Sequence, residues 1–300
     1  MSNTRTPFSV LAAATAALLG APGAASAEQI FGLTTTNALV SFDSATPGTS
    51  SAAVAITGLA AGESILGIDV RPATGAIYGL GSAGNLYTLN ATTGSATFVS
   101  LLTADATDLT SPYAGIAGTA FGIDFNPVVD RLRIVSASGQ NLRVNVTTGA
   151  TITDGALNIA TPGQAPGVTA VAYNNNDNNP ATGTTLFDIG SATDALYTQV
   201  PPNDGTLVLV GALNVNTSDV AGFDISGATG VAFASLTSPD GASSLYSINL
   251  ATGAASLIGG TSSSLRDITV AAPIPEPETY ALMLAGLAAV GFAARRRSRG

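Results

Sequence analysis

Residues 121–126 read Phe-Gly-Ile-Asp-Phe-Asn. Variants of that run recur at Leu66–Arg71 (LGIDVR), Thr169–Asn174 (TAVAYN), Ala221–Ser226 (AGFDIS) and Leu265–Thr269 (LRDIT). Aligned on their third or fourth positions, they bring Asp69, Asp124, Ala172, Asp224 and Asp267 into register, at separations of 55, 48, 52 and 43 residues. A period of roughly 40–50 residues is the length of one propeller blade. Each run opens a unit of short β-branched and aromatic stretches divided by Gly, Asn, Asp and Pro, which is the signal of strands and turns. A second strand follows, as at Ala76–Leu80, Arg131–Ser136 or Thr185–Ile189. A third carries Leu86-Tyr87, Leu142-Arg143, Leu196-Tyr197 or Leu245-Tyr246. Seven to nine residues past that Leu stands Gly94, Gly149, Gly205 or Gly253, where a tight turn demands positive φ. A fourth strand, such as Ala96–Leu101 or Thr206–Val210, ends the unit.

The chain ends complete the pattern. Leu265–Ala271 supplies an innermost strand with no blade after it, while Gln29–Thr34, Ala38–Phe42 and Ala52–Thr57 supply three strands with no innermost partner. Joined, they make a fifth blade and close the ring, covering edges that would otherwise invite aggregation. The sequence therefore predicts an all-β fold, a five-bladed β-propeller of about twenty strands over residues 28–272. A β-sandwich is the alternative, but it does not explain the period.

Composition excludes whole chemistries. The 300 residues contain no Cys, His or Lys, and only 10% are charged. There is no thiol nucleophile, imidazole base, Schiff-base amine or His/Cys metal site, and no Ser-His-Asp triad. Catalysis would have to run on Asp, Glu, Tyr, Ser or Arg. Residues 28–272 hold five Arg against 17 acidic residues, a net of −12, which argues against a nucleic-acid partner.

Both ends read as addresses. Arg5, the apolar run Phe8–Gly20 and the small-x-small site Ala25-Ser26-Ala27 predict a secretory signal peptide over residues 1–27. At the other end Pro275-Glu276-Pro277 precedes an apolar stretch, Tyr280–Ala294, and then Arg295-Arg296-Arg297. This predicts a short apolar transmembrane helix with a basic stop. The order of the three parts over residues 273–300 closely resembles the PEP-CTERM sorting tail of Gram-negative bacteria. The resemblance implies a partner, an exosortase-type membrane transpeptidase, and a route across the inner membrane to a transient anchor and then to the cell surface or beyond. It also implies company with exopolysaccharide.

The domain itself shows a second resemblance. Gly122–Pro127 (GIDFNP), Arg131–Arg143 (RLRIVSASGQNLR), Tyr173–Asn179 (YNNNDNN) and Leu196–Leu207 (LYTQVPPNDGTL) are similar to motifs of the bacterial domain-of-unknown-function family 4394. That likeness implies a propeller and transfers no catalytic residue.

Three groups could carry chemistry. Asp69, Asp124, Asp224 and Asp267 should approach the central channel or the seams between blades. Converging carboxylates suit a hard cation such as Ca²⁺; alternatively each Asp accepts backbone hydrogen bonds and fixes blade packing. Asn174–Asn179 with Asp177 offers alternate oxygens but lacks the Gly and distal Glu of an EF-hand loop, so it reads first as a polar turn. Arg131, Arg133 and Arg143 lie on two strands joined by Ser138-Gly139. On one face they could grip an anionic sugar or phosphate; whether they share a face depends on register. Two functions compete: a non-catalytic surface or matrix propeller that binds glycan or protein without a cofactor, and a carboxylate-based, glycosidase-like hydrolase. Only Glu28 and Glu63 supply Glu to the domain, and both fall outside the aligned strands.

Overall fold

The structure, a computed structural model, describes residues 27–159, 167–177, 179 and 181–271. The predicted leader (Ala27 excepted), the sorting tail and its apolar helix over 280–294 lie outside the described residues. Among the described residues no helix is long and apolar enough to cross a membrane.

Five antiparallel sheets form the blades. Blade 1 runs from its innermost strand Ile65–Arg71 through Ala76–Gly81 and Asn85–Leu89 to Ala96–Leu101. Blade 2 has Phe121–Asn126, Arg131–Ser136, Asn141–Val144 and Ala150–Thr153; blade 3 has Val168–Tyr173, Leu186–Gly190, Ala195–Gln199 and Thr206–Ala212. Blade 4 has Ala221–Ile225, Ala232–Thr237, Ser243–Ile248 and Ala255–Gly260. Blade 5 is the mixed one, with Leu265–Val270 pairing Gln29–Thr34, followed by Ala38–Asp43 and Val54–Ala55. The innermost strands touch in cyclic order, so the ring is closed. The propeller prediction and its closure hold.

The sequence did not signal two short strands, Thr103–Ala104 and Asn158–Ile159. Each leaves the preceding blade and adds in parallel to the outer edge of the next, against Ala150–Thr151 and Thr206–Leu207. They cover edges at blades 2 and 3.

Alternation of side chains on each strand sends one apolar set to each neighbouring blade. Five buried clusters result, one per seam, and none of them needs a sixth layer. The turn glycines Gly94, Gly149, Gly205 and Gly253 all have positive φ, between 68° and 79°. Near the axis glycine serves close approach instead. A methyl on Gly122 would stand 2.7 Å from Ala170 Cα, and one on Gly222 would stand 2.5 Å from the Ile268 nitrogen.

Two outcomes test this architecture. A chain ending at Thr261 loses the buried side chains of Leu265, Ile268 and Val270, each worth roughly 2–5 kcal/mol. We expect its thermal transition to vanish or to fall by at least about ten degrees; melting at the intact temperature would refute the closure. Gly122→Val should abolish cooperative folding, whereas Gly48→Ala, whose nearest new contact is 3.4 Å away, should not.

Candidate functional site

The innermost strands place their carboxylates at the axis and link blade to blade. Phe125 N–H of blade 2 donates to Asp69 Oδ2 of blade 1 at 2.7 Å, and Tyr173 N–H of blade 3 donates to Asp124 Oδ1 at 3.0 Å. Val270 N–H of blade 5 donates to Asp224 Oδ2 at 2.6 Å, and Ile68 N–H of blade 1 donates to Asp267 Oδ2 at 2.9 Å. All four Asp are buried. Blade 3 has Ala172 at this position, so its seam to blade 4 lacks the carboxylate tie; apolar contacts fill it, and hydrogen bonds such as Ser191 to Asp219 and Asn176 to Ile225 O cross its margins.

One alignment needs correction. Asp69 pairs Tyr78, Asp224 pairs Phe233 and Ala172 pairs Phe187, whereas the residue opposite Phe31 in blade 5 is Thr269. Thr269 therefore occupies the carboxylate position, and Asp267 stands two residues earlier, where the other blades have Gly67, Gly122, Ala170 and Gly222. The second-strand aromatics, not the Asp residues, mark the common register. In blade 2 the residue opposite Asp124 is Arg133, the one departure from the aromatic.

Asp69, Asp124 and Asp224 converge, each offering one oxygen within 4.8 Å of the others. The Thr269 hydroxyl lies 3.0 Å from Asp69 Oδ1 and 3.1 Å from Asp224 Oδ2, and its single proton serves one of them. Asp124 Oδ2 has no partner. Burial pushes the Asp69 and Asp124 carboxyls well above the usual carboxylate range, and neighbouring carboxylates push them further. Burial raises Asp224 to about 6, and Asp267 is raised well above normal for the same reason. The three donors match a hard cation in kind. Asp69 and Asp224, however, already accept N–H or O–H bonds on all four oxygens, with Val70 and Ile225 amides completing the set. That leaves Asp124 Oδ2 as the single free donor, far from the six to eight that Ca²⁺ takes.

On the face where the innermost strands end, a cavity of about 340 Å³ reaches Asp69 and Asp224 and is rimmed by Asn176 and Asp177. The Asn-rich run thus lies over the axis. Asn176 Nδ2 donates to Ile225 O at 3.2 Å, while Asn174 and Asp177 accept local backbone N–H groups as turn residues do; Asn178 lies outside the described residues.

The arginines assemble on the seam of blades 2 and 3. Arg133 and Arg143 are direct cross-strand partners and therefore share a face, as does Arg131, two residues before Arg133. Asp154, absent from the sequence reading, joins the first two: Arg133 Nη1 donates to it at 2.6 Å, and Arg143 donates through Nε and Nη2 at 3.1 and 2.9 Å. Arg133 also donates to Asn141, Asn203 and Tyr173 Oη. Arg71 pairs with Asp130 across blades 1 and 2.

Residues 38–269 match the family model described as Domain of unknown function (DUF4394), and residues 273–297 match the PEP-CTERM protein-sorting motif. No curated protein matches the chain. Among solved structures it is similar to a chain of a nidogen/laminin complex, with TM-score 0.48 and 11% identity over 82% of this chain and 98% of that one. A Bacteroides thetaiotaomicron protein of unknown function gives 0.48 and 14% over 83% and 68%. A putative 6-phosphogluconolactonase from Bacteroides uniformis gives 0.41 and 12% over 79% and 83%. At these scores no residue role carries across.

The buried acids set the pH response. They hold protons more tightly folded than unfolded, so stability falls as pH rises from about 4 through about 6, where Asp224 titrates. Asp124→Asn keeps an acceptor for Tyr173 and puts an amide donor where the unpartnered oxygen stood. It should therefore melt several degrees above the parent at pH 7, with the gap closing toward pH 4. A lower melting temperature at pH 7, matched by chelator treatment of the parent, would instead assign a cation to the cluster.

Proposed function

We propose that this chain, which belongs to the family described as Domain of unknown function (DUF4394), is a non-catalytic binding or scaffold propeller of the cell surface or extracellular matrix. Its PEP-CTERM motif implies export and processing by an exosortase-type membrane enzyme on the way to the surface. The non-catalytic reading is supported by the state of the axial carboxylates: each accepts a backbone N–H of the next blade. A glycosidase needs one free carboxylic acid and a second carboxylate flanking the scissile bond, and groups committed to holding strands together serve that badly.

The two glutamates are committed as well. Glu28 accepts from the Ser226 and Thr229 hydroxyls, clasping the start of the domain to blade 4. Burial would raise Glu63, but hydrogen bonds from Tyr87, Asn85 and the Ala83 amide outweigh it and hold its pKa below the usual range. An acid that stays ionised cannot protonate a leaving group. A net charge of −12 over residues 28–272 keeps the domain soluble and repels acidic exopolysaccharide unless divalent ions bridge the two.

Two measurements decide. Protein exported by a host with an exosortase should lack Met1–Ala27 and everything after the Pro-Glu-Pro, so peptides from Leu282–Arg295 in its mass spectrum would refute the processing. A screen against glycan, phosphoester and lactone substrates should show no turnover. Turnover abolished by Asp124→Asn in a folded variant would promote the hydrolase.

A further inference from the structure

We propose that the cleft between blades 2 and 3 binds a small oxyanion, a carboxylate or phosphate group on a ligand no larger than about one sugar ring. This deepens the binding role above and rests on it. The cleft holds about 250 Å³ and is lined by Arg131, Arg133, Arg143, Tyr173, Asn126 and Asn203 among others, with no carboxylate on its surface. Its volume lies below the roughly 300 Å³ at which ordinary small-molecule pockets begin. That sets the size of the ligand.

Charge sets its sign. Two of the three arginines, Arg133 and Arg143, bind one carboxylate, Asp154, which is buried behind them with 5% of its side chain exposed. Asp188 is also fully buried on this seam, opposite Val171, with both oxygens unpartnered, and it does not reach the cleft. Asp124, the cross-strand partner of Arg133, is buried on the seam too and likewise does not line the cleft, so the cleft surface itself carries three guanidiniums and no carboxylate. Arg71 and Asp130 nearby cancel each other. Apart from these residues, 28–272 carries one Arg against thirteen acidic residues. A cationic cleft in so acidic a domain is not what random scatter of five arginines produces.

The donors are arranged for the task. Arg133, 3% exposed, is held by Asn141, Asp154, Asn203 and Tyr173, so it cannot swing away. Arg143 spends Nε and one Nη2 proton on Asp154 and keeps its Nη1 protons, with 31% of the side chain exposed. Arg131 bonds only its neighbours' carbonyls and, among the described residues, pairs with no carboxylate. Guanidinium forks fit carboxylate and phosphate oxygens in pairs. A cluster built purely for stability would match its arginines with acids; this one fixes Arg133 and Arg143, keeps the outer edge of Arg143 open and leaves Arg131 without a carboxylate among the described residues.

The test is calorimetric titration of the purified exported protein with glucuronate, glucose 6-phosphate, inorganic phosphate and glucose. At least one anion should bind, more weakly as salt rises, and glucose should not. Arg131→Gln, which leaves the Asp154 network whole, should weaken that binding at least tenfold. Glucuronate alone assigns a carboxylate ligand, and phosphate with its ester assigns a phosphate ligand. No anion binding by the folded protein, glucose binding as well as the anions, or binding that survives both Arg131→Gln and Arg143→Gln would overturn the site. Turnover of a bound anion would overturn the non-catalytic reading alone and leave the cleft standing.

Discussion

The ring depends on one contact repeated around its axis: a carboxylate on one innermost strand accepting the backbone N–H of the next. An innermost strand of a propeller has a free edge facing the channel, and buried N–H groups there need acceptors. In the seams that Asp69, Asp124, Asp224 and Asp267 span, a side chain supplies the acceptor. The bond requires the strands to lie almost in contact. Gly122 and Gly222 permit that, since a methyl at either would collide with the neighbouring backbone. Residue i lets the strands approach, and residue i+2 ties them.

The arrangement carries an electrostatic cost that five identical blades would make worse. Three carboxylates already meet within 4.8 Å, and each further charge at the axis would add like-charge repulsion in a dry environment. Blade 3 and blade 5 relieve it in different ways. Ala172 removes the charge and lets an apolar seam of Ala170, Phe187, Phe223 and Ala234 do the holding. Thr269 substitutes a hydroxyl that can give its proton to Asp69 or Asp224, so it lowers the repulsion as well as avoiding it. The departures from the repeat are thus part of what makes the repeat tolerable.

Much of this was legible beforehand, and the failures have physical reasons. A period near 50 residues and unpartnered strands at the two ends point to a closed ring, because joining them completes a blade of the same length. Gly94, Gly149, Gly205 and Gly253 were legible because positive φ filters for glycine. The edge strands Thr103–Ala104 and Asn158–Ile159 were not, since two residues carry no alternation to read. Asp267 matches the other strands in residue type but not in position, and the aromatic at Phe31 holds the true register. The arginine face is not legible in the sequence because it hangs on the loop at Ser138-Gly139, where a one-residue difference reverses it. Asp154 and Asn203 come to Arg133 from a following strand end and from another blade. Proximity of that kind leaves no local trace.

The repeat breaks once more at the second-strand position of blade 2, and packing alone does not account for it. Tyr78, Phe187, Phe233 and Phe31 fill the second-strand position opposite the innermost residue, and in blade 2 that position is Arg133. An aromatic there would bury itself at no electrostatic cost. Arginine demands Asn141, Asp154, Asn203 and Tyr173 to satisfy it, a shell drawn from two blades. Burying a guanidinium with partners gains little stability over a well-packed hydrophobic residue of like size. The substitution is therefore poorly explained by folding. It is better explained by what the same seam displays on its surface, where Arg131 and Arg143 stand beside Arg133 and no acid reaches the cleft.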